Sequence, residues 1–265
     1  LGISLRRAGY LIDEILGRDY PRSRRRARDL AVRLHAHGVT LTTARLAAPV
    51  IWICVNDDAI ALCARQLAQA AALKKMGWKN KIVLHSSGAL SSSELEALRR
   101  KGASVASAHP MMTFVSTAPP RMQGIPFALE GDAPAVALAR RIAIDLGGEP
   151  FTIRQDRKVL YHAMGSFSSP LVIALLAMAE QLARAAGVPR KGVAKVMQPI
   201  LRRTLENYFS HGAAAAFSGP IQRGDIATVR KHLAALRKVP GAAEIYRALM
   251  KSAVRSLPVK TRKKL

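Results

Sequence analysis

At 265 residues, 49% of them hydrophobic and 22% charged, the chain has globular rather than disordered composition and can bury one large core or two modest ones. A net charge of +25 suits either a polyanion-attracting field or an arginine-rich solvated surface. Aromatic residues are only 5% and no nucleic-acid motif is present, which excludes the interleaved stacking platforms of specific nucleic-acid binders.

In chain order, Leu1 to Gly9 reads as the back end of a helix, and Ala8-Gly9-Tyr10 turns into a strand over Leu11 to Leu16. A basic helix, Arg22 to Arg33, follows, with only its Ala and Leu residues inward. Short apolar runs then alternate with helical patterns. "VIWICV" (50–55), "KIVLHSS" (81–87), "ASVASAHP" (103–110), "PFALEG" (126–131) and "PFTI" (150–153) read as strands; 57–75, 91–100 and 132–146 read as helices led by Ser or Asp caps. This alternation predicts a parallel sheet with helices on both faces. After Ile153 the strands stop. Helical periodicity over 156–186, 190–210, 222–236 and 242–257 predicts an all-helical second domain, so the domains are expected at 1–153 and 154–265.

The tail "PVKTRKKL" reads as basic and frayed. Cys54 and Cys63 sit in apolar surroundings without metal-ligand spacing and read as free core thiols in a reducing compartment. No signal peptide is visible. The longest apolar run, "PLVIALLAMA" (170–179), is too short to span a bilayer and reads as a buried helix. No membrane, metal or specific nucleic-acid partner is expected, and the location expected is cytoplasmic.

Several stretches offer chemistry. At the end of the second strand of a dinucleotide fold, an acidic residue holds the ribose of NAD and arginines accept the extra phosphate of NADP. Here Arg18, Ser23 and Arg24 follow the strand and no carboxylate is read at its end; the alternative is an exposed basic helix. After "VIWICV", Asn56 is placed to contact a cofactor, while Asp57 or Asp58 caps the next helix. "HSSG" (85–88) ends a strand with a histidine and the small polar residues Ser86 and Ser87, where open α/β sheets collect ligands. "AHPMMTF" (108–114) puts His109 where a proton donor or orienting group stands, or where a histidine simply closes a strand. Lys158 and His162 are one helical turn apart, and Ser166 and Ser169 continue their stripe while Val159, Leu160 and Ala163 pack elsewhere. A lysine beside a histidine is costly unless an anion lies between them. "FSGPIQRGD" offers Arg223 and Asp225, either as substrate ligands or as a structural corner.

"HSSGAL", "HPMMTF", "IPFALEGD", "LGGEPFTI", "KVLYHAMGSFSSP" and "FSGPIQRGD…TVRKHL", in this order, resemble the Rossmann-like proteins that carry the domain-of-unknown-function family 2520. That family is similar, at one remove, to the 6-phosphogluconate dehydrogenase, ketopantoate reductase and pyrroline-carboxylate reductase proteins. The resemblance implies an N-terminal NADP-binding Rossmann domain and a C-terminal helical domain that often forms a dimer interface. In the hydroxyacid dehydrogenases a lysine and an asparagine one turn later act as acid/base and substrate ligand; Lys158 and His162 look like that pair, with histidine in place of asparagine. "HPM" is similar to the histidine-proline turn of prephenate dehydrogenases. The family begins with a strand and a G-x-G-x-x-G turn ahead of "AGY", so the chain reads as truncated at its start.

The expectation is therefore a Rossmann-like, mostly parallel α/β sheet followed by an all-helical domain. The implied function is an NADP-dependent oxidoreductase, as a homodimer built on residues after 154, acting on a small anionic keto, hydroxy or imino substrate. Lys158 would be the acid/base, with its ammonium facing the cleft, assisted by His162 and His109. Ser87, Ser166, Ser169, Arg223 and Asp225 would hold substrate; Arg18, Ser23, Arg24, Asn56 and Ser86 would hold NADP. The rivals are a nucleotide-binding or regulatory module without turnover, and a nonspecific polyanion binder.

Overall fold

The apolar runs of the first half form a sheet because their side chains alternate between two covered faces. The computed structural model describes residues 1–113 and 121–260. Its first unit, Leu1–Ser169, contains α1 (Gly2–Arg7), β1 (Glu14–Gly17), α2 (Pro21–Leu34), β2 (His37–Thr40), β3 (Val50–Ile53), α3 (Asp57–Leu73), β4 (Ile82–His85), α4 (Glu96–Arg99), β5 (Ser104–Pro110), β6 (Pro126–Gly131), α5 (Ala133–Asp145), β7 (Glu149–Thr152) and α6 (Lys158–Ser168).

Five strands pair in the order β3-β4-β5-β6-β7. On one face, Val83 and Val105 pack under Ile60, Ala64 and Leu67 of α3 and Leu98 of α4. On the other, Leu84, Ala106, Phe127 and Leu129 pack under Leu5 of α1 and Ala135, Ala139 and Ile142 of α5. All pairings are parallel except β5 with β6. The connection between those two strands carries no helix among its described residues, and an antiparallel neighbour needs no helical crossover. The sheet is mixed and mostly parallel.

β1 and β2 form a separate parallel pair. The edges of β1 and β3 that lack a strand partner among the described residues both border one cavity of about 1160 Å³. β1 begins at Glu14, later than expected. Leu11 is 86% exposed, and the Glu14 carboxylate accepts from the backbone N–H groups of Arg45 and Leu46 at 2.7 and 3.0 Å. β2 was not legible: "HGVT" carries one apolar residue. Its Gly38 is required, since a Cβ there would stand 2.8 Å from Arg28 Cα.

Other boundaries moved for local reasons. The expected helix over 91–100 is a 3-10 turn (Ser92–Leu95) followed by the single turn α4. The expected cap Asp57 is the first residue of α3; Asn56 holds the cap position without a side-chain bond. The long helix expected over 156–186 is broken after Ser168, because Pro170 supplies no N–H and crowds the preceding turn. The two units divide between Ser169 and Pro170, later than the boundary expected at 154, because Lys158 and Tyr161 bind α6 to the strand ends. Cys54 is exposed, which corrects its reading as a core thiol, whereas Cys63 is half-buried and packs against the core on the α3 side; both border the cavity. Phe114 and the end of the basic tail lie outside the described residues.

The second unit, Pro170–Leu265, holds α7 (Pro170–Ala185), α8 (Val193–Ala216), α9 (Pro220–Arg223), α10 (Ile226–Leu236) and α11 (Ala242–Ser256). Gly212, at φ 76°, kinks α8. Leu236, Ala242 and Ala243 pack with Met178, Leu182 and Tyr246. The buried helix expected over 170–179 is corrected: no residue of α7 is fully buried within this chain. The stretch Gln155–Ala185 is long and apolar enough to cross a membrane by length and composition. It is broken at Ser169–Pro170 and contains the buried lysine Lys158, so it does not make a span.

Candidate active site

Register brings three polar side chains into one row. His85 of β4 lies opposite Ser107 of β5, and Ser107 lies opposite Glu130 of β6. They share a sheet face, at the carboxyl ends of β4 and β5, where open α/β sheets bind ligands. Burial makes each find a partner. Lys158 is 1% exposed. Its ammonium donates to Ser107 Oγ and lies 3.7 Å from Glu130 Oε1. Glu130 also accepts from Ser92, at 2.8 Å from both the backbone N and the hydroxyl. Burial pushes the Lys158 ammonium down to about 8, with Glu130 opposing the shift. The expectation that this ammonium faces the cleft is corrected: it is held inside the strand ends.

The two histidines differ in how they are satisfied. His85 is closed at both ring nitrogens: Nδ1 accepts from Ser87 N–H and Nε2 reaches the Ser91 carbonyl, each at 3.1 Å. His109 is closed at one. Its Nδ1 lies 2.9 Å from the Tyr161 hydroxyl, and Nε2 has no partner among the described residues yet is not among the buried unsatisfied atoms. Burial pushes both imidazoles down to about 4, with the Lys158 charge adding to the shift. Burial pushes the Tyr161 hydroxyl up to about 12.

Gly88 lets the rings of His109 and His162 pack against its backbone. A Cβ there would stand 2.5 Å from His162 Cδ2 and 2.8 Å from His109 Nε2. The rings of His109 and His162 meet edge to face at 6.2 Å. Thus His109, His162 and Lys158, all chosen from sequence, do converge, with Tyr161 and Glu130 as members that sequence reasoning missed. A glutamate inside the apolar strand "PFALEG" was the available signal, because a buried carboxylate demands a partner.

The serines are partly committed. Ser86 Oγ accepts from Trp52 Nε1 at 2.8 Å. Ser87 Oγ donates to Asp57 Oδ2 at 2.8 Å and accepts from Leu90 N–H at 2.9 Å. Ser166 donates to the His162 carbonyl at 3.3 Å, and Ser169 is the half-buried residue between α6 and α7. Arg223 and Asp225 belong to the second unit. Arg223 is exposed, and Asp225 caps α10 through Thr228 N–H at 3.0 Å and Oγ1 at 2.7 Å, which commits its carboxylate to the helix end.

The cavity along β1 and β3 reaches the ends of both strands at Gly17, Arg18, Asp19 and Asn56; His109, Tyr161 and His162 do not line it. A carboxylate does stand beyond β1: Asp19 binds the Arg24 guanidinium, Nε at 2.7 Å. This corrects the reading of a strand end free of acid. Ser23 Oγ accepts from Arg18 N–H at 2.8 Å and keeps its own hydrogen to donate. Arg18 and Asn56 are exposed.

A mostly parallel sheet wrapped by helices, with polar groups at its carboxyl edge and a helical unit following it in the chain, defines a Rossmann-like two-unit protein. Residues 125–253 match the family described as Domain of unknown function (DUF2520). No curated protein matches it. Among solved structures the chain is similar to a candidate NADP oxidoreductase of Bacteroides fragilis, at 21% identity and TM-score 0.72, covering 95% of this chain and 91% of that one. A protein of Thermotoga maritima aligns at 24% identity and TM-score 0.72, covering 94% and 91%. An imine reductase of Myxococcus stipitatus, solved with NADP+, aligns at 15% identity and TM-score 0.64, covering 96% and 90%. These likenesses establish the shared fold.

Proposed function

We propose that the chain is an NADP-dependent oxidoreductase acting on a small anionic substrate with a carbon–oxygen or carbon–nitrogen double bond, or on its reduced form. The observation that carries this reading is the convergence of His109, Tyr161 and His162 around Gly88 at the carboxyl ends of β4 and β5, in a fold shared with proteins named as NADP-binding reductases.

Arg18 and Asn56 border one end of the cavity of about 1160 Å³, a volume large enough for a small-molecule site of roughly 300–1,000 Å³, which supports a cofactor there. Arg18, Arg24 and the Ser23 hydroxyl would hold the extra phosphate, and Asn56 and Ser86 the nicotinamide side. The bound cofactor supplies or accepts hydride. His109 and His162 bear on the substrate. Lys158 acts from behind them as a buried positive charge that favours an anion, rather than as a group touching the reacting atoms. Leu160 of α6 and Ile173 of α7, each 64% exposed, belong to apolar faces that a second copy would cover, so the working form is a cytoplasmic homodimer.

The burial of Lys158 favours a second reading, a nucleotide-binding module without turnover. Screening small keto acids, hydroxy acids and imines with NADPH, read by the absorbance of the reduced nicotinamide, separates the two. Turnover supports the oxidoreductase; NADPH binding without turnover on any member supports the module.

A further inference from the structure

Tyr161 has a specific relation to His109 that its burial alone does not explain. Its hydroxyl lies on the protein side of the imidazole, 2.9 Å from Nδ1, in a side chain only 9% exposed. Among the described residues the hydroxyl has no other acceptor. A phenol donates readily to a neutral imidazole nitrogen, and the reverse arrangement would leave the hydroxyl hydrogen unused in a nearly buried place. With Nδ1 accepting, the ring hydrogen belongs on Nε2. That nitrogen is on the Gly88 side of the ring, 2.8 Å from where a Cβ at that glycine would stand, and it has no acceptor among the described residues.

We propose that Tyr161 is a positioning residue: by donating to Nδ1 it holds His109 in the tautomer that presents Nε2–H over Gly88 as a hydrogen-bond donor to a carbonyl or imine acceptor. This deepens the oxidoreductase reading and rests on it for the identity of the acceptor. The surroundings agree. His109 faces the Lys158 ammonium, His162, the Tyr161 hydroxyl and, farther off, the Asp57 carboxylate. Burial and the two basic neighbours all favour the neutral ring, and Asp57 opposes them. His85, in the adjacent strand, is fixed in the same tautomer by backbone groups: Nδ1 accepts from Ser87 N–H and Nε2–H meets the Ser91 carbonyl. There the donor is spent inside the protein. At His109 a side chain takes the place of the backbone amide, and the donor is left for a ligand. The consequence is selectivity for a ligand atom that can accept, because an N–H donor facing a ligand group that only donates leaves both unsatisfied.

Nitrogen-15 NMR of the imidazoles in the whole chain tests this without substrate or cofactor. Seven histidines are present, and His109→Gln identifies the signals that belong to His109. The expected result is a neutral ring at pH 7 with Nε2 protonated and Nδ1 bare, and in Tyr161→Phe a shift to a mixture of tautomers. An Nδ1–H tautomer or an imidazolium in the wild type overturns the proposal, as does an unchanged spectrum in Tyr161→Phe. If that variant does not fold, the wild-type tautomer decides alone. Failure of the oxidoreductase reading is distinguishable, because it appears as absent turnover with the tautomer intact.

Discussion

Lys158 Nζ lies 3.7 Å from Glu130 Oε1, with both side chains at most 2% exposed. A buried pair of this kind contributes little net stability, but removing one partner strands the other's charge. Lys158→Met is therefore expected to destabilise the fold by roughly 3–5 kcal/mol, and a Lys158→Met/Glu130→Leu double variant to regain much of that loss. Urea unfolding of the two variants checks this. A single variant as stable as the wild type would show that the pair is not a buried couple. Loss of turnover in Lys158→Met counts as a chemical effect only after this stability cost is separated from it.

Cofactor choice should turn on Asp19 and Arg24. Asp19 occupies the fork of Arg24, so it competes with a phosphate for the same donors and repels it. Asp19→Asn is expected to tighten NADPH binding several-fold, and Arg24→Ala to weaken NADPH more than NADH. The wild type should prefer NADPH, with the preference shrinking as salt rises, because the contacts are charge-assisted and partly exposed. Calorimetric titrations at two ionic strengths measure all of these. Tighter NADH in the wild type would reverse the assignment.

Acid should unfold the first unit early. The imidazoles of His85 and His109 are both lowered to about 4 from an ordinary value of 6.5. Between those values the unfolded chain takes up protons that the folded chain does not, so stability falls as pH drops from 6.5 to 4 and levels below that window. The loss from each histidine is on the order of 1–3 kcal/mol. Melting temperature against pH should show this loss, and His109→Gln should flatten it by roughly half of the histidine part. An unchanged slope in that variant would mean that His109 titrates normally.

Light scattering at micromolar concentration should give twice the chain mass. Val159 and Phe167 of α6 are 69% and 68% exposed, and α7 has no fully buried residue within this chain. Replacing Leu160 and Phe167 together by Asp should release monomers while leaving the sheet intact, since neither belongs to the cores of the first unit. A wild-type monomer would remove the second copy from the description.

Much of the layout was legible because it rests on local chemistry. Alternating apolar runs such as Ser104–Pro110 and Pro126–Gly131 need two covered faces, and the helical periodicity between them supplies the cover. Lys158, His109 and His162 also stood out, because polar residues at strand ends and on one helix face are unusual in apolar context. What the sequence could not carry was direction and distance. Whether Lys158 turned outward or inward depended on Ser107 and Glu130, which come from two other strands and meet it only through register. Whether Arg24 was free depended on a loop that bends Asp19 back onto it. β2, with one apolar residue, is a strand because β1 pairs with it. The role of Gly88 came from the two rings packed against it rather than from its neighbours in the chain. Periodicity fixes which face a residue occupies, whereas a buried charge chooses its partner from whatever the assembled fold brings within a few ångströms, and that is decided only by tertiary structure.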